Sequence, residues 1–491
     1  MPDTDKKPDP GEIKGKKKRK KHKGRELVEC LLVAGALALT IRTFGFQIFK
    51  IPTRSMEPAL YGNEYYGDRV VAMMWYNRGK LGLGLGEIRR WQVLVFNHEI
   101  DGKPTNYIKR VVGLPGESVE IRDGDIWVAG PEDSETSIAR KPRALQEDLW
   151  IKLCDMDFSD PRRLPYYWKA EPAAGARVED GRLLVSAAPE KKTMLSWRHA
   201  RGIDNRFVRQ TVKRVTCSNP WKDEKTGREV VCGREFRAVF DTARPVAFCP
   251  NPRCRKPVWG VFDDGRQGVL VRDDPTTRSS SNYWTEMSGG SGSPVPDMRL
   301  NADFQVMKGA GKLEAVLTCR GERLGLIIPL GGGPSRVELY REAKPGERKV
   351  VGSKSLTLPS GAGHCFELVN VDAELRASID GVEVASYRYV PPSWGPSDVE
   401  ISASGSLCLA LDNLRLSRDI YYGHQGAEMS VDERESVKRS VIKLGKGQYF
   451  FLGDNSLASA DGRVFGPKEE KEIVARGLFV AWPLSRMHWI E

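Results

Sequence analysis

The sequence predicts a mainly β protein in which an N-terminal membrane helix precedes a β domain that is divided by a long insertion. Residues 27–49 are apolar with few interruptions and follow a basic tail. Residues 50–130 and 421–491 contain short segments in which apolar and polar residues alternate between turn signals. Alternation with a period of two is typical of half-buried strands. The residues between these two regions have strands, a linker and cysteines of their own, which indicates a separate β-sandwich of the jelly-roll type.

The first 25 residues form the basic tail. They hold eleven Lys or Arg against four Asp or Glu, while the whole chain has a formal charge of +12. Since the rest of the chain is close to electrical balance, we expect no nucleic-acid partner. Positive charge beside an apolar segment stays on the cytoplasmic side of a membrane. We therefore expect the tail inside the cell and the chain after residue 50 on the outer face.

Residues 26–49 are expected to form a single transmembrane anchor, because about 20 helical residues cross a bilayer. The alternative is a cleaved secretory signal, since residues 34–36 and 36–38 have the small-x-small form of a cleavage site. Both lie inside the apolar stretch rather than after it. This position favours an uncleaved anchor in the lipid bilayer.

Three short blocks of the divided domain carry residues suited to nucleophilic chemistry. They are Ile51-Pro52-Thr53-Arg54-Ser55-Met56-Glu57-Pro58, then Tyr107-Ile108-Lys109-Arg110-Val111-Val112-Gly113-Leu114-Pro115-Gly116-Glu117, and finally Gly453-Asp454-Asn455 followed by Ser459, Asp461 and Arg463. In this order after an N-terminal anchor, they resemble the bacterial type I signal peptidases, the Ser/Lys family of leader peptidases. The resemblance covers the anchor, residues 44–128 and residues 417–487. It implies that residues 50–130 and 421–491 are the two parts of a catalytic domain with the signal-peptidase β-fold.

The resemblance implies that Ser55 is the nucleophile and Lys109 the general base. A serine hydroxyl is a poor nucleophile until a base removes its proton, and a lysine amine can act as that base only when it is neutral. At pH 7 a lysine with a pKa near 10.4 is neutral in about one molecule in 2,500, so burial must lower the pKa. The apolar neighbours of Lys109 in the sequence could provide this burial.

The resemblance also implies supporting roles around these two residues. Thr53 would form an oxyanion hole together with the backbone N–H of Ser55, and Ser459 would orient the lysine amine. The residues expected to support the site structurally are Asp454, Asn455, Asp461 and Arg463. No cofactor is expected for catalysis.

The expected substrates are the signal peptides of exported preproteins, cut after small residues at positions −1 and −3. The residues that the resemblance places around the two pockets are Phe49, Ile51, Pro52, Met56, Tyr107 and Ile108. Residues of these types are equally common in an ordinary core. The implied location is the bacterial cytoplasmic (inner) membrane, with the catalytic domain on the outer face.

The insertion divides into residues 131–210 and 261–420, the two expected parts of the sandwich, and a cysteine-rich island at residues 211–260. The four cysteines of the island are Cys217, Cys232, Cys249 and Cys254. Their spacing is compatible with a structural zinc ion of the zinc-ribbon type, with disulfides, or with unpaired structural thiols. We expect the whole insertion to be an independent module that the chemistry does not need.

The strands around the island resemble a concanavalin A-like sandwich of the laminin-G type. The segments that carry this resemblance are Asp180-Gly181-Arg182-Leu183-Leu184-Val185, His364-Cys365-Phe366-Glu367-Leu368 and Ile379-Asp380-Gly381. The resemblance implies a carbohydrate or protein ligand, although a fold alone does not define a function.

Two other functions compete with a signal peptidase. A self-cleaving Ser/Lys protease of the repressor type shares a related fold and dyad, but it should be soluble and carry a DNA-binding module. A catalytically inactive surface-binding protein would use the sandwich alone. The presence of Ser55, Lys109 and Ser459 argues against the second alternative.

Overall fold

The computed structural model describes residues 45–64, 67–74, 87–100, 102–155, 168–179, 182–197, 295–331, 333–392, 397–423 and 441–490, a helical segment at residues 28 and 30–35, and the backbone of short strands between residues 211 and 259. The basic tail and residues 26, 27, 29 and 36–44 of the expected anchor lie outside this description. Within the described part, no helix has the length and apolar character needed to cross a bilayer. The anchor therefore stays a prediction.

Strands dominate the described residues, which confirms the mainly β prediction. The elements before the cysteine-rich island are β1 (Phe46–Lys50), β2 (Arg69–Met74), β3 (Val93–Ile100), β4 (Lys103–Gly113), β5 (Ser118–Arg122), β6 (Asp125–Ala129), β7 (Ser137–Ile138), α1 (Arg143–Leu149), β8 (Ile151–Asp155), β9 (Trp168–Glu171), β10 (Ala176–Glu179), β11 (Arg182–Ala187) and β12 (Thr193–Trp197). Those of the island are β13 (Thr211–Thr216), β14 (Pro220–Lys222), β15 (Glu229–Val231), β16 (Glu235–Phe240), β17 (Val246–Phe248) and β18 (Pro257–Trp259). Those after it are β19 (Met298–Cys319), β20 (Glu322–Leu330), β21 (Pro334–Glu342), β22 (Arg348–Thr357), β23 (Gly363–Val371), β24 (Glu374–Ile379), β25 (Val382–Arg388), β26 (Asp398–Arg418), β27 (Ile442–Lys443), β28 (Gln448–Leu452), α2 (Gly462–Phe465), β29 (Lys468–Glu469), β30 (Ile473–Trp482) and β31 (His488–Trp489).

Strands from both ends of the chain build the main sheet of the divided domain. This sheet has eight strands in the order β1-β2-β30-β3-β4-β28-β29, with β31 paired to β30. Strand β30 lies between β2 and β3, and β28 pairs with β4. Strands from residues 50–130 and from residues 421–491 therefore share one sheet.

A second, four-stranded sheet of the divided domain has the order β27-β5-β6-β7. Its apolar residues meet those of the main sheet in one core, in which Val112, Val119, Ile126 and Phe450 are buried. This core holds the end of β4 in place, and β4 carries Lys109.

Strand β4 is exposed at its beginning and buried from Lys109 to its end. Its partner β3 is buried at the matching end, where Leu94 pairs with Lys109 and Val93 pairs with Arg110. Successive side chains of a strand point to opposite faces of the sheet. Lys109 and Arg110 are therefore both buried, but on different faces.

The insertion contains a thirteen-stranded antiparallel sheet around the long pair β19 and β26. Side chains of β19 alternate between buried and partly exposed along its first half. Buried apolar residues of these strands and of their neighbours form a single core, which includes Leu300, Phe304, Leu326, Phe366 and Leu409. Antiparallel strands that share one apolar core agree with the predicted β-sandwich.

The cysteine-rich island forms three two-stranded pairs in its described backbone, β13 with β16, β14 with β15, and β17 with β18. Its four cysteines, Cys217, Cys232, Cys249 and Cys254, lie outside the described residues. The zinc site stays a prediction, as do its disulfide and free-thiol alternatives.

Residues that follow the expected boundary at residue 131 divide between the two cores, and Ile138 already lies in the core of the sandwich. Leu145 and Leu149, four residues apart on one side of α1, are buried with Val119 and Ile126 in the core of the divided domain. Cys154 of β8 is the first residue after α1 in the core of the sandwich. The residues from Ile48 onward form one compact unit that includes the insertion.

Candidate active site

Ser55 lies in a short 3-10 turn, Arg54–Met56, that follows β1. The backbone around the turn is fixed by hydrogen bonds: the N–H of Ile51 donates to the carbonyl of Asp68 at 2.9 Å, and the N–H of Asn455 donates to the carbonyl of Ser55 at 3.1 Å. The second bond connects the first predicted block with the third. Ser55 is 5% exposed, so its hydroxyl is largely withdrawn from water.

Lys109 contacts Ser55 directly. Its Nζ lies 2.7 Å from Ser55 Oγ and donates a second hydrogen bond to the carbonyl of Ile108 at 2.9 Å. Lys109 is only 3% exposed. Burial lowers the pKa of this amine from 10.5 to about 8, against the opposing effect of Asp461 and Asp454. The fold therefore supplies the lowered pKa that a lysine base needs.

Thr53 lies beside the serine hydroxyl, with its Oγ1 3.4 Å from Ser55 Oγ. It is also the N-cap residue of the 3-10 turn. The first N–H groups of a helical turn have no acceptor within that turn, which leaves the N–H of Ser55 available to a ligand. Thr53 therefore lies close enough to Ser55 to take part in the predicted oxyanion hole, which stays a prediction.

Ser459 is fully buried close to Ser55. A Cβ atom on Gly453 would lie 2.2 Å from Ser459 Oγ and 2.4 Å from the carbonyl oxygen of Ser55, so only glycine fits between them. Within the described residues, Ser459 Oγ makes no hydrogen bond that meets distance and angle criteria, to Lys109 or to another group. The structure thus brings Ser459 to the site, while its role in orienting Lys109 stays a prediction.

Asp454 forms an ion pair that sequence reasoning did not identify. Its two carboxylate oxygens accept hydrogen bonds from Nε and Nη2 of Arg110, each at 2.8 Å, and neither side chain is exposed. Arg110 also donates to the carbonyl of Trp91 at 2.6 Å. This pair fixes the Gly-Asp-Asn turn to the strand that carries Lys109. The only sequence signal is the position of Arg110 next to Lys109.

Asp461 and Arg463 form the predicted structural pair. Arg463 Nη2 donates to Asp461 at 2.7 Å, and the N–H of Gly453 donates to the same carboxylate at 2.9 Å. Burial alone would raise the pKa of Asp461, but Arg463 holds it below its ordinary value. The carboxylate is therefore ionised at neutral pH and holds the ends of the loop around Ser459 together.

The six residues expected at the substrate pockets differ in exposure. Phe49, Tyr107 and Ile108 are partly exposed and Pro52 is exposed, whereas Ile51 and Met56 are 1% and 0% exposed and lie in the core. For Ile51 and Met56 the structure favours the alternative of an ordinary core residue. The ring centroid of Tyr107 lies 5.5 Å from Lys109 Nζ, which places Tyr107 at the site.

A buried serine hydroxyl in contact with an amine of lowered pKa is the arrangement that a serine hydrolase with a lysine base requires. The comparisons with known proteins agree. A family model described as signal peptidase, peptidase S26, matches residues 24–186 and 406–482. Signal peptidase I P of Bacillus subtilis subsp. natto is 31% identical over 120 residues, which are 24% of this chain and 58% of that protein. Signal peptidase I of Bacillus licheniformis is 30% identical over 138 residues, which are 28% of this chain and 67% of that protein.

The chain thus belongs to the signal peptidase I family of peptidase S26. It spans between about half and two thirds of the length of these two relatives.

Among solved structures, a Bacillus subtilis protein of unknown function with a galectin-like fold covers 55% of this chain and 98% of its own, at 9% identity and a TM-score of 0.28. This score is too low to define the fold of the insertion. The carbohydrate or protein ligand expected for the insertion stays a prediction.

Proposed function

We propose that this chain removes signal peptides from exported preproteins, with Ser55 as the nucleophile and Lys109 as the general base. The observation that carries the proposal is the contact of 2.7 Å between Lys109 Nζ and Ser55 Oγ, in a chain of the signal peptidase I family. No metal or cofactor is needed for the steps that follow.

The chemistry follows from the positions of the two side chains. Neutral Lys109 removes the proton of Ser55 while Ser55 Oγ attacks the carbonyl carbon of the scissile peptide bond. The oxyanion that forms is stabilised by the N–H of Ser55 and the hydroxyl of Thr53. As the peptide bond breaks, protonated Lys109 gives its proton to the leaving amine. Water activated by the same amine then hydrolyses the acyl-enzyme ester and restores Ser55.

The proposed substrate carries small residues at positions −1 and −3 of the signal peptide. The partly exposed Tyr107, Ile108 and Phe49 surround the site and would limit the size of the residues that bind there. The proposed location is the bacterial inner membrane, with the basic tail in the cytoplasm. The proposed anchor is shorter than the range expected from the sequence and covers residues 26–44, because residues 46–49 belong to β1. Protease added to spheroplasts should digest the chain after residue 50 and spare the tail.

The purified full-length chain tests the proposal with a preprotein whose cleavage is followed by mass. Ser55→Ala and Lys109→Arg should fold and lose processing, because a guanidinium group does not act as a base at neutral pH. Lys103→Ala changes an exposed lysine of the same strand and should keep full turnover. Substantial cleavage by Ser55→Ala, or cleavage at a site without small residues, would rule the proposal out.

A further inference from the structure

A buried group of charged side chains joins the insertion to the divided domain. Lys141 Nζ forms an ion pair with Asp372 and lies 2.8 Å from Asp419 Oδ2. The N–H of Lys141 donates to the other oxygen of Asp372 at 2.7 Å. The three side chains are between 1% and 4% exposed. We call these three residues the junction.

Further charges surround the junction. Arg320, in the turn between β19 and β20, donates to Asp125 at 3.2 Å and to the carbonyl of Asp123 at 2.9 Å, both in the hairpin of β5 and β6. Asp297 accepts from the N–H of Asp372 at 3.0 Å, and its carbonyl accepts from the N–H of Asp419 at 2.9 Å. Residues of three separate turns of the insertion therefore meet the divided domain at one buried place.

Lys141 is charged at neutral pH. Burial opposes the charge, but Asp372, Asp419 and Asp125 raise the pKa of Lys141 well above its ordinary value. Burial raises the pKa of Asp419 to about 6, so this carboxyl is mostly ionised at pH 7.5. The junction is therefore a true ion pair under the conditions of an activity assay.

Asp419 begins a short segment that ends at the active site. We call residues 419–423 the strap. Ile420 and Tyr422 of the strap are buried in the core of the divided domain. The N–H of Tyr422 donates to the carbonyl of Gly124 at 3.0 Å, which fixes the middle of the strap to the hairpin of β5 and β6.

The far end of the strap is bound to the active-site loop. The N–H of Gly423 donates to Ser456 Oγ at 2.9 Å, and the carbonyl of Gly423 accepts from Arg463 Nη1 at 2.8 Å. Ser456 and Arg463 lie on either side of Ser459 in sequence. Because five residues span at most about 18 Å, a segment fixed at both ends and in the middle has little freedom to move.

We propose that Lys141 and Asp372 are positioning residues for the active site: they hold the strap, and through it the loop that places Ser459, Asp461 and Asn455 around Ser55 and Lys109. This inference rests on the proposed function and adds that the insertion takes part in it. A displacement of about 1 Å at a catalytic group can lower a rate by about a hundredfold. We therefore expect a loosened strap to lower kcat.

Asp372→Asn is the most direct test. An amide offers one acceptor oxygen, so it cannot accept from both the N–H and the Nζ of Lys141 as the carboxylate does. We expect kcat to fall by about tenfold or more while KM changes by less than about twofold. Water entering beside the loosened loop should also raise the apparent pKa of the kcat/KM profile, because burial of Lys109 is what lowers it.

The matched control is Arg143→Gln. Arg143 also contacts the insertion, through Glu383 at 2.8 Å and Glu374 at 3.5 Å, but its side chain is 57% exposed and neither partner is a junction residue. The control should leave kcat and the pH profile unchanged. If Asp372→Asn does not fold, Asp419→Asn replaces it, because an amide keeps the shape of the Asp419 carboxylate and removes its charge opposite Lys141.

A double-mutant cycle tests transmission along the strap. Asp372→Asn acts on one end of the strap and Ser456→Ala acts on the other. If both act through the strap, the double variant should lose less kcat than the product of the two single fold-losses. Multiplying losses, or a folded Asp372→Asn variant with a lower Tm but wild-type kcat and pH profile, would overturn the inference. Absence of cleavage by the wild type would instead contradict the proposed function itself.

Discussion

At the scale of single residues, the burial of Lys109 sets the pH at which the site works. The protonated amine is inactive as a base, and its pKa is about 8. Since raising the pH removes this proton, kcat/KM should rise about tenfold per pH unit between pH 6 and 7.5 and level off above pH 9. The measurement is cleavage of a model signal peptide from pH 6 to 10. A profile that is flat over this range, or that still rises steeply at pH 10, would contradict the assignment of Lys109.

Thr53 is exposed and lies beside the nucleophile, so its hydroxyl should affect rate rather than stability. Thr53→Val should lower kcat by about a hundredfold, because an oxyanion donor is worth about 2.7–4 kcal/mol in the transition state. Its free energy of unfolding should stay within about 0.5 kcal/mol of the wild type. Thr53→Ser keeps the hydroxyl and should keep most of the rate. A wild-type rate in Thr53→Val would contradict the assignment of this hydroxyl to the oxyanion hole.

The residues of the candidate site could be selected from the sequence because they belong to short blocks with fixed spacing. Ser55, Lys109 and Ser459 were identified from such blocks, and the structure brings all three together. Arg110 was missed, because a charged residue in a strand is usually exposed. Its burial depends on Asp454, which lies more than three hundred residues away in the sequence, and no local pattern reveals such a partner.

At the scale of elements, the ion pair of Arg110 and Asp454 joins β4 to the turn after β28. Arg110→Met leaves Asp454 buried without its partner, so the free energy of unfolding should fall by about 3–5 kcal/mol. Urea unfolding followed by fluorescence measures this loss. Arg122→Gln, which breaks an ion pair with Glu120 on a side chain that is 40% exposed, should cost less than about 1 kcal/mol. A loss below 1 kcal/mol for Arg110→Met would show that the pair is unimportant for stability.

Strand patterns were reliable where one face of a sheet is buried, because period-two alternation records that burial directly. The elements near the boundary were harder to assign. Helix α1 is short, and its buried residues Leu145 and Leu149 became part of the core of the divided domain only through packing against distant strands. The sequence pattern around residue 131 therefore does not indicate that the residues after it divide between the two cores.

At the scale of the whole molecule, the junction predicts that the insertion supports the active site, whereas the sequence alone suggests an independent module. Replacing residues 131–416 by a short Gly/Ser linker removes Lys141 and Asp372 and also takes α1 out of the core. We expect the shortened chain to lose at least about tenfold in kcat. The measurements are a thermal melt and preprotein cleavage in detergent. Replacing only residues 211–260 keeps every junction residue and should keep the activity. Full activity of the chain that lacks residues 131–416 would instead show that the insertion is a dispensable module.

The charges of the junction could not be predicted from the sequence. Lys141, Asp372 and Asp419 lie far apart in the chain, and each alone resembles an ordinary surface charge. Their joint burial follows from where the turns of the sandwich meet the hairpin of β5 and β6, and this depends on long-range packing. The order of β2, β30 and β3 in the main sheet could not be predicted from the sequence for the same reason.

The position of β30 between β2 and β3 has a consequence for biosynthesis. Synthesis of the chain proceeds from the N-terminus, so β2 and β3 appear long before their shared neighbour, which begins only at Ile473. The sandwich can fold while the ribosome is still working, because all of its strands precede residue 419. The main sheet, in contrast, cannot close until Ile473–Trp482 has been made. Ser55 and Lys109 are therefore made early but remain apart from their supporting loop, and an incomplete nascent chain has no assembled peptidase site.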